Sequence, residues 1–343
     1  MTIHISSRHT VVASRAKGLH RARLAIFILA AALVAVFFLS LSAGTSYLSM
    51  KDVLQALSGD TGEEAYFIVM QLRLPRAVIA VLAGCSFALG GAAFQSMLRN
   101  PLASPDIVGI SSGASAAAVI AIVVFALTGT VIQIVAVIAG LGVALLIYIL
   151  AYRDRIVSTR LILIGIGVSA MLDSVTAYVL AGANGWTLQE ALRWLTGSVN
   201  GARLDQAIAL SISLTLFGSM LLFRSRDIDA LRLGDETAAA LGTPIIRTRV
   251  TVIIASVGLI SVATALTGPI AFVAFLSGPI AARIVGQGAL VLIPSALFGA
   301  LLVLAADYCG QHFLPTRYPV GVVTGALGAP YLLYLIVRAN RMS

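Results

Sequence analysis

The sequence predicts an all-α, polytopic membrane protein with about ten transmembrane helices, and three observations predict it. Apolar residues make up 59 % of the 343-residue chain and charged residues 11 %, where a soluble domain carries about 45–50 % and about 25 %. The apolar residues gather in runs close to the roughly 20 residues that a helix needs to cross a hydrocarbon core of about 30 Å. The basic residues gather between alternate runs, as the positive-inside rule requires of a multi-pass protein.

Taken in order, the runs predict spans at 24–43, 77–98, 106–127, 131–151, 161–181, 206–223, 250–267, 269–286, 289–307 and 320–337. The first follows a basic amino-terminal tail, 1–23, and exceeds the roughly 7–15 apolar residues of a signal peptide, so it reads as a retained anchor. Only Gly268 and Pro269 separate the seventh span from the eighth, and a single bent helix there would invert everything that follows. With the amino terminus inside, the inner segments hold 17 of the 23 Lys and Arg residues and the outer segments six. That asymmetry supports ten spans with both termini cytoplasmic, and it explains the net charge of +9 as topology rather than affinity for nucleic acid.

The longest outer segments are 44–75 and 182–205. The second carries Trp186 and Trp194, residues suited to the membrane interface, and reads as a short surface helix. The longest inner segment, 224–249, "RSRDIDALRLGDETAAALGTPIIRTR", reads as one or two short helices stopped by Gly242 and Pro244. It is either a docking surface or a solvated linker. Within the spans, glycines in "CSFALGGAAF" (85–94), "LIGIGVSA" (163–170) and "LGAP" (327–330) predict close helix packing. Asp173 falls midway along the fifth span and Asp307 near the outer end of the ninth. An acid at membrane depth faces protein or water, so Asp173 borders either a pathway or a subunit contact.

Several chemistries are excluded. The chain has no G-x-x-x-x-G-K-[ST] phosphate loop and only two lysines, Lys17 and Lys51, so it does not hold ATP in that way. Three of its four histidines lie in the amino-terminal tail, and Cys85 and Cys309 lack metal-site spacing. No catalytic constellation assembles and no cofactor is called for. Transporter, channel and assembly scaffold remain.

The apolar pattern is interrupted at 96–118, "SMLRNPLASPDIVGISSGASAAA". Asn100-Pro101 and Ser104-Pro105 stop one helix and delay the next, because Pro lacks a donor and restricts the residue before it. Asp106 then suits the first turn of the following helix. Non-helical backbone near a membrane is tolerated where protein or water satisfies it, so this hairpin reads as the inner mouth of a cavity.

The string "LRLPRAVIAVLAGCSFALGGAAFQSMLRNPLASPDIVGISSGA" (72–114) resembles the signature of the FecCD family, the permease subunits of ATP-binding-cassette (ABC) importers for iron-siderophores, haem and cobalamin. "WLTGSV" (194–199), "LRLGDETAAALG" (231–242), "GPIAFVAF" (268–275) and "YPVGVVTGALGAPYLLYLI" (318–336) follow in the family's order, so the resemblance covers nearly the whole chain. It implies a single permease domain with the fold of type II ABC importers, as in cobalamin and siderophore permeases. It implies a homodimer, or a heterodimer with a related permease, in the cytoplasmic (inner) membrane. The implied partners are two cytoplasmic ABC ATPase subunits and an extracytoplasmic substrate-binding protein, and the implied cargo is a ferric siderophore, with haem or cobalamin as the alternative. By the same resemblance, Leu233, Gly234, Ala238, Leu241 and Gly242 couple to the ATPases. Arg73 and Arg76 match arginines that pair with glutamates of the binding protein, where the plain alternative is an anchor at the membrane interface. Asn100, Pro101 and Leu102, with Ser158 and Thr159, match a cytoplasmic gate. The chain departs from the family pattern at Pro279, which stands one position late, and at Gln311 and Arg317 around the outer end of the ninth span. A rival reading of the residues alone is a proton-coupled secondary transporter using Asp173.

Overall fold

The computed structural model describes residues 4–44, 46–59, 62–101, 103–104, 109–151, 158–286 and 290–340, with side chains for all of these except 4–17, 19, 158–159, 336 and 338–340. The described residues are helical, and no strand occurs among them. The first predicted span is the end of a longer helix, α1 (His4–Ser42), so the basic stretch before it is helical too. A short outer helix, α2 (Met50–Ser58), starts at Ser49, whose hydroxyl accepts the Asp52 N–H while the Asp52 carboxylate accepts the Ser49 N–H. This reciprocal cap satisfies two donors that the helix leaves free.

The remaining predicted spans appear in order: α3 (Glu63–Leu98), α4 (Ile110–Val123), α5 (Thr130–Ala151) and α6 (Ser158–Ala181). The surface helix expected after them is α7 (Gly185–Leu195), with Trp186 exposed. Next come α8 (Leu204–Phe223), the two short inner helices α9 (Ser225–Leu231) and α10 (Asp235–Ala240), and α11 (Ile245–Thr267). The chain ends with α12 (Val273–Val285), α13 (Leu292–His312) and α14 (Val320–Asn340). Seven of these helices are long and apolar enough to cross a membrane, and three shorter apolar ones, α4, α12 and the core of α14, complete the ten predicted spans. The doubtful break at 268 is real. Gly268 takes φ 72°, Phe272 takes φ 64°, and the Ser198 N–H caps the last carbonyl of α11 at 2.6 Å.

The bundle is built around α3. Of its apolar window 78 % is buried, against 11 % for α6. Its surface of Ala, Gly and Ser explains this: between membrane helices, packing supplies the attraction that hydrophobicity does not, and small side chains let backbones approach. Gly84 of α3 faces Gly299 of α13 so closely that a Cβ on either would meet the other's backbone carbonyl. Around these contacts Ile79, Ala83, Phe87, Ile260, Val273 and Val303 form an outer core, and Phe94, Met97, Leu221, Ile228 and Leu259 an inner one.

Candidate functional site

At its inner end α3 stops in an unusual way. Arg99 takes φ 53° and ψ 30°, its N–H reaches the Ser96 carbonyl at 3.3 Å, and the Asn100 N–H reaches the Gln95 carbonyl at 3.2 Å. This pair of bonds is the helix ending that normally has Gly in the left-handed position. Pro101 follows, and the Ala103 N–H closes a turn on the Asn100 carbonyl at 3.1 Å.

Gln95, 6 % exposed, holds that turn in place. Its Nε2 donates to the Pro101 carbonyl at 3.1 Å and to the Phe275 carbonyl at 2.9 Å. The second bond has a specific cause. Inside α12 the carbonyl of residue 275 would accept from the N–H of residue 279, but residue 279 is Pro and has none. The shifted proline therefore frees a buried carbonyl, and Gln95 satisfies it. Of the other residues expected at the gate, Leu102 lies outside the described residues. Ser158 and Thr159 open α6, and their side chains lie outside the described ones.

Next to this turn, α9 and α10 form an inner platform. Leu233 and Leu241 are 63 % and 65 % exposed, whereas Ala238 is buried against the inner core. Gly234 and Gly242 take φ 104° and 82°, the left-handed backbone that starts α10 and ends it. Asp235, at the first turn of α10, is clamped by Nη2 of Arg249, 2.8 Å from both carboxylate oxygens, and lies 3.5 Å from Nη2 of Arg99. Asp229 of α9 is partly desolvated, which pushes its carboxyl up from the usual carboxylate range, while Arg232 opposes that shift.

On the outer side, Arg73 turns back onto the end of α1. Its Nη1 donates to the Leu41 and Ser42 carbonyls at 2.7 and 2.9 Å, and its Nη2 to the Ser46 carbonyl at 2.5 Å. Arg76 forms a two-pronged ion pair with Asp307, both bonds 2.7 Å, and its Nη1 donates to the Asn200 carboxamide oxygen at 3.0 Å. Gln311, the departure from the family pattern, donates to the same Asp307 carboxylate at 2.8 Å. Asp307 is thus buried and paired, joining α3 to α13, rather than lying free at the interface. Both arginines line an outer recess of about 530 Å³, together with His312 and Arg317. Asp173 is exposed on the outward face of α6 and has no side-chain partner among the described residues.

Asn200, Gln95 and the Arg99–Asp235–Arg249 group were missed by sequence reasoning. Asn200 carries no signal in the sequence. Gln95 does: an amide in an apolar helix, paired with a proline inside another helix, marks a donor and a carbonyl that each need a partner.

The sequence profile of the FecCD transport family matches residues 32–338. Over 318 residues the chain is 39 % identical to the ferric enterobactin transport system permease protein FepG of Escherichia coli K12, covering 92 % of this chain and 96 % of FepG. It is 40 % identical to the achromobactin transport system permease protein CbrC of Dickeya dadantii 3937, covering 93 % and 91 %. It is 36 % identical to the Fe(3+)-citrate import system permease protein YfmE of Bacillus subtilis 168, covering 92 % and 95 %. A solved structure described as a metal-chelate type ABC transporter in an inward-facing conformation superposes with a TM-score of 0.80 at 25 % identity, covering 91 % of this chain and 98 % of that one.

Proposed function

This chain belongs to the FecCD transport family, and from that membership we propose that it carries a ferric siderophore inward across the cytoplasmic membrane as the permease subunit of an ABC importer. The observation that carries the reading is the inner platform. Two exposed leucines, Leu233 and Leu241, flank a short helix seated on the bundle by buried Ala238. Exposed apolar residues on a structured cytoplasmic surface suit docking to another protein. The chain has no phosphate loop of its own, so the energy of ATP must come from that other protein.

The remaining roles follow from this arrangement. Both termini and the platform face the cytoplasm, where two ATPase subunits dock on a dimer of permeases. Asn100, Pro101 and Leu102, with Ser158 and Thr159, form the cytoplasmic gate. Arg73 and Arg76 receive the binding protein at the outer face, and Arg76 does so in competition with Asp307. Asp173 faces the pathway or the second permease, since a partnerless carboxylate at membrane depth is tolerated against water or protein rather than lipid.

The test is reconstitution in proteoliposomes with the ATPase and the binding protein, offering ferric enterobactin, ferric citrate, a ferric hydroxamate, haem and cobalamin. Uptake of at least one of the three ferric chelates, dependent on the binding protein, is expected. Uptake of haem or cobalamin alone would contradict the siderophore assignment, and uptake of none would contradict transport itself.

A further inference from the structure

Three features meet at the inner end of α3. Arg99, the left-handed residue that caps the helix just past Leu98, lies against Asp235 of the platform. The turn at Asn100 and Pro101 begins at the next residue. Gln95, one helical turn earlier, ties that turn to the freed carbonyl of Phe275 in α12. We propose that Arg99 and Gln95 are positioning residues that relay movement of the ATPase-docking platform to the gate: Asp235 pulls Arg99, and Gln95 makes the gate turn and the proline-containing α12 move with it. This rests on the transport reading above and adds residues that carry its coupling.

The strengths of the contacts support a relay rather than a brace. Asp235 is held firmly by Arg249, whose side chain is 14 % exposed, at 2.8 Å. The Arg99 contact is longer, 3.5 Å, and its two side chains are 44 % and 41 % exposed. Pairs that exposed contribute little to stability, so the fold does not need this one, and it is weak enough to form and break within a transport cycle. Gln95 donates to Phe275 through a buried bond of 2.9 Å and to Pro101 through a part-buried one of 3.1 Å, so the turn and α12 are both tied to α3. Helix stability also does not account for an arginine at position 99. A left-handed residue at this helix ending favours Gly, and a larger side chain is less comfortable there. The Arg99 guanidinium lies against Gly234, the residue that starts α10, where φ is 104°.

The experiment compares wild type, Arg99→Gly and Arg99→Lys in the reconstituted complex, measuring ATP hydrolysis and uptake of ferric enterobactin, ferric citrate and a ferric hydroxamate. Arg99→Gly suits the local left-handed backbone while removing the side chain that reaches Asp235, so loss of folding cannot explain its defect. It should retain its ATPase subunits and hydrolyse ATP as wild type does, while importing about tenfold less chelate per ATP, in the range of ordinary coupling energies. Arg99→Lys keeps the charge and should recover most of the import. The relay is overturned if Arg99→Gly imports as much per ATP as wild type, if hydrolysis and import fall together, or if Arg99→Lys is no better than Arg99→Gly. A wild-type complex that imports none of the chelates overturns the transport reading, and the relay with it.

Discussion

Asp307 shows how one buried carboxylate decides the character of its surroundings. Its side chain is 5 % exposed and its partner Arg76 is 18 % exposed, so removing one member strands the other. Asp307→Ala should destabilise the bundle by about 3 kcal/mol, the lower part of the range for breaking a buried pair. The double change Asp307→Leu with Arg76→Met should be milder than Asp307→Ala, and thermal unfolding in detergent distinguishes the two. The cap of α2 is the opposite case, at the surface and sensitive to pH. Asp52 sits below the usual carboxylate range because it accepts from the Ser49 hydroxyl and backbone N–H. A carboxyl whose pKa is lower in the folded state stabilises that state above its unfolded pKa, and the benefit is lost as pH falls through the lowered value. Hydrogen exchange in α2 should therefore accelerate on acidification in the wild type and be less pH-dependent in Asp52→Asn. The existence of an acid at Asp307 was legible in the sequence, but its partner was not, because Arg76 lies more than two hundred residues away and only the packing of α3 on α13 brings them together.

At the scale of helices, ten apolar runs and their order were readable because membrane spans announce themselves by length and composition. The break at 268 was readable only as a doubt, since the Ser198 contact that seals the end of α11 comes from a distant segment. The displaced proline at Pro279 was visible, while the Gln95 bond that satisfies the carbonyl it frees depends on how α3 and α12 pack. That packing is close: a Cβ at Gly91 would run into the Ala274 backbone, so Gly91→Val should abolish accumulation of folded permease, as seen by size-exclusion chromatography. The platform makes the contrasting prediction. Gly242 takes φ 82° in open space, so Gly242→Val should disturb only the end of α10. The bundle should unfold at the wild-type temperature while copurification of the ATPase subunits is lost; retention of the ATPase with normal uptake would contradict the docking role of this segment.

For the whole molecule, the distribution of burial is the informative quantity. A helix as exposed as α6, carrying an acid with no partner among the described residues, presents a face that water or protein has to cover at Asp173. Composition could establish the membrane class and the absence of a phosphate loop, but it could not say which face of each helix is left uncovered, because that depends on all the other helices. In the proposed function, ATP hydrolysed by partner subunits, rather than an ion gradient acting through Asp173, drives import. The most direct measurement is uptake of the imported ferric chelate into proteoliposomes containing the permease, its ATPase and its binding protein, with ATP supplied and a protonophore present. Uptake should persist with the protonophore and stop when ATP is replaced by a non-hydrolysable analogue; uptake that continues without hydrolysis and collapses with the proton gradient would rule out ATP-driven import.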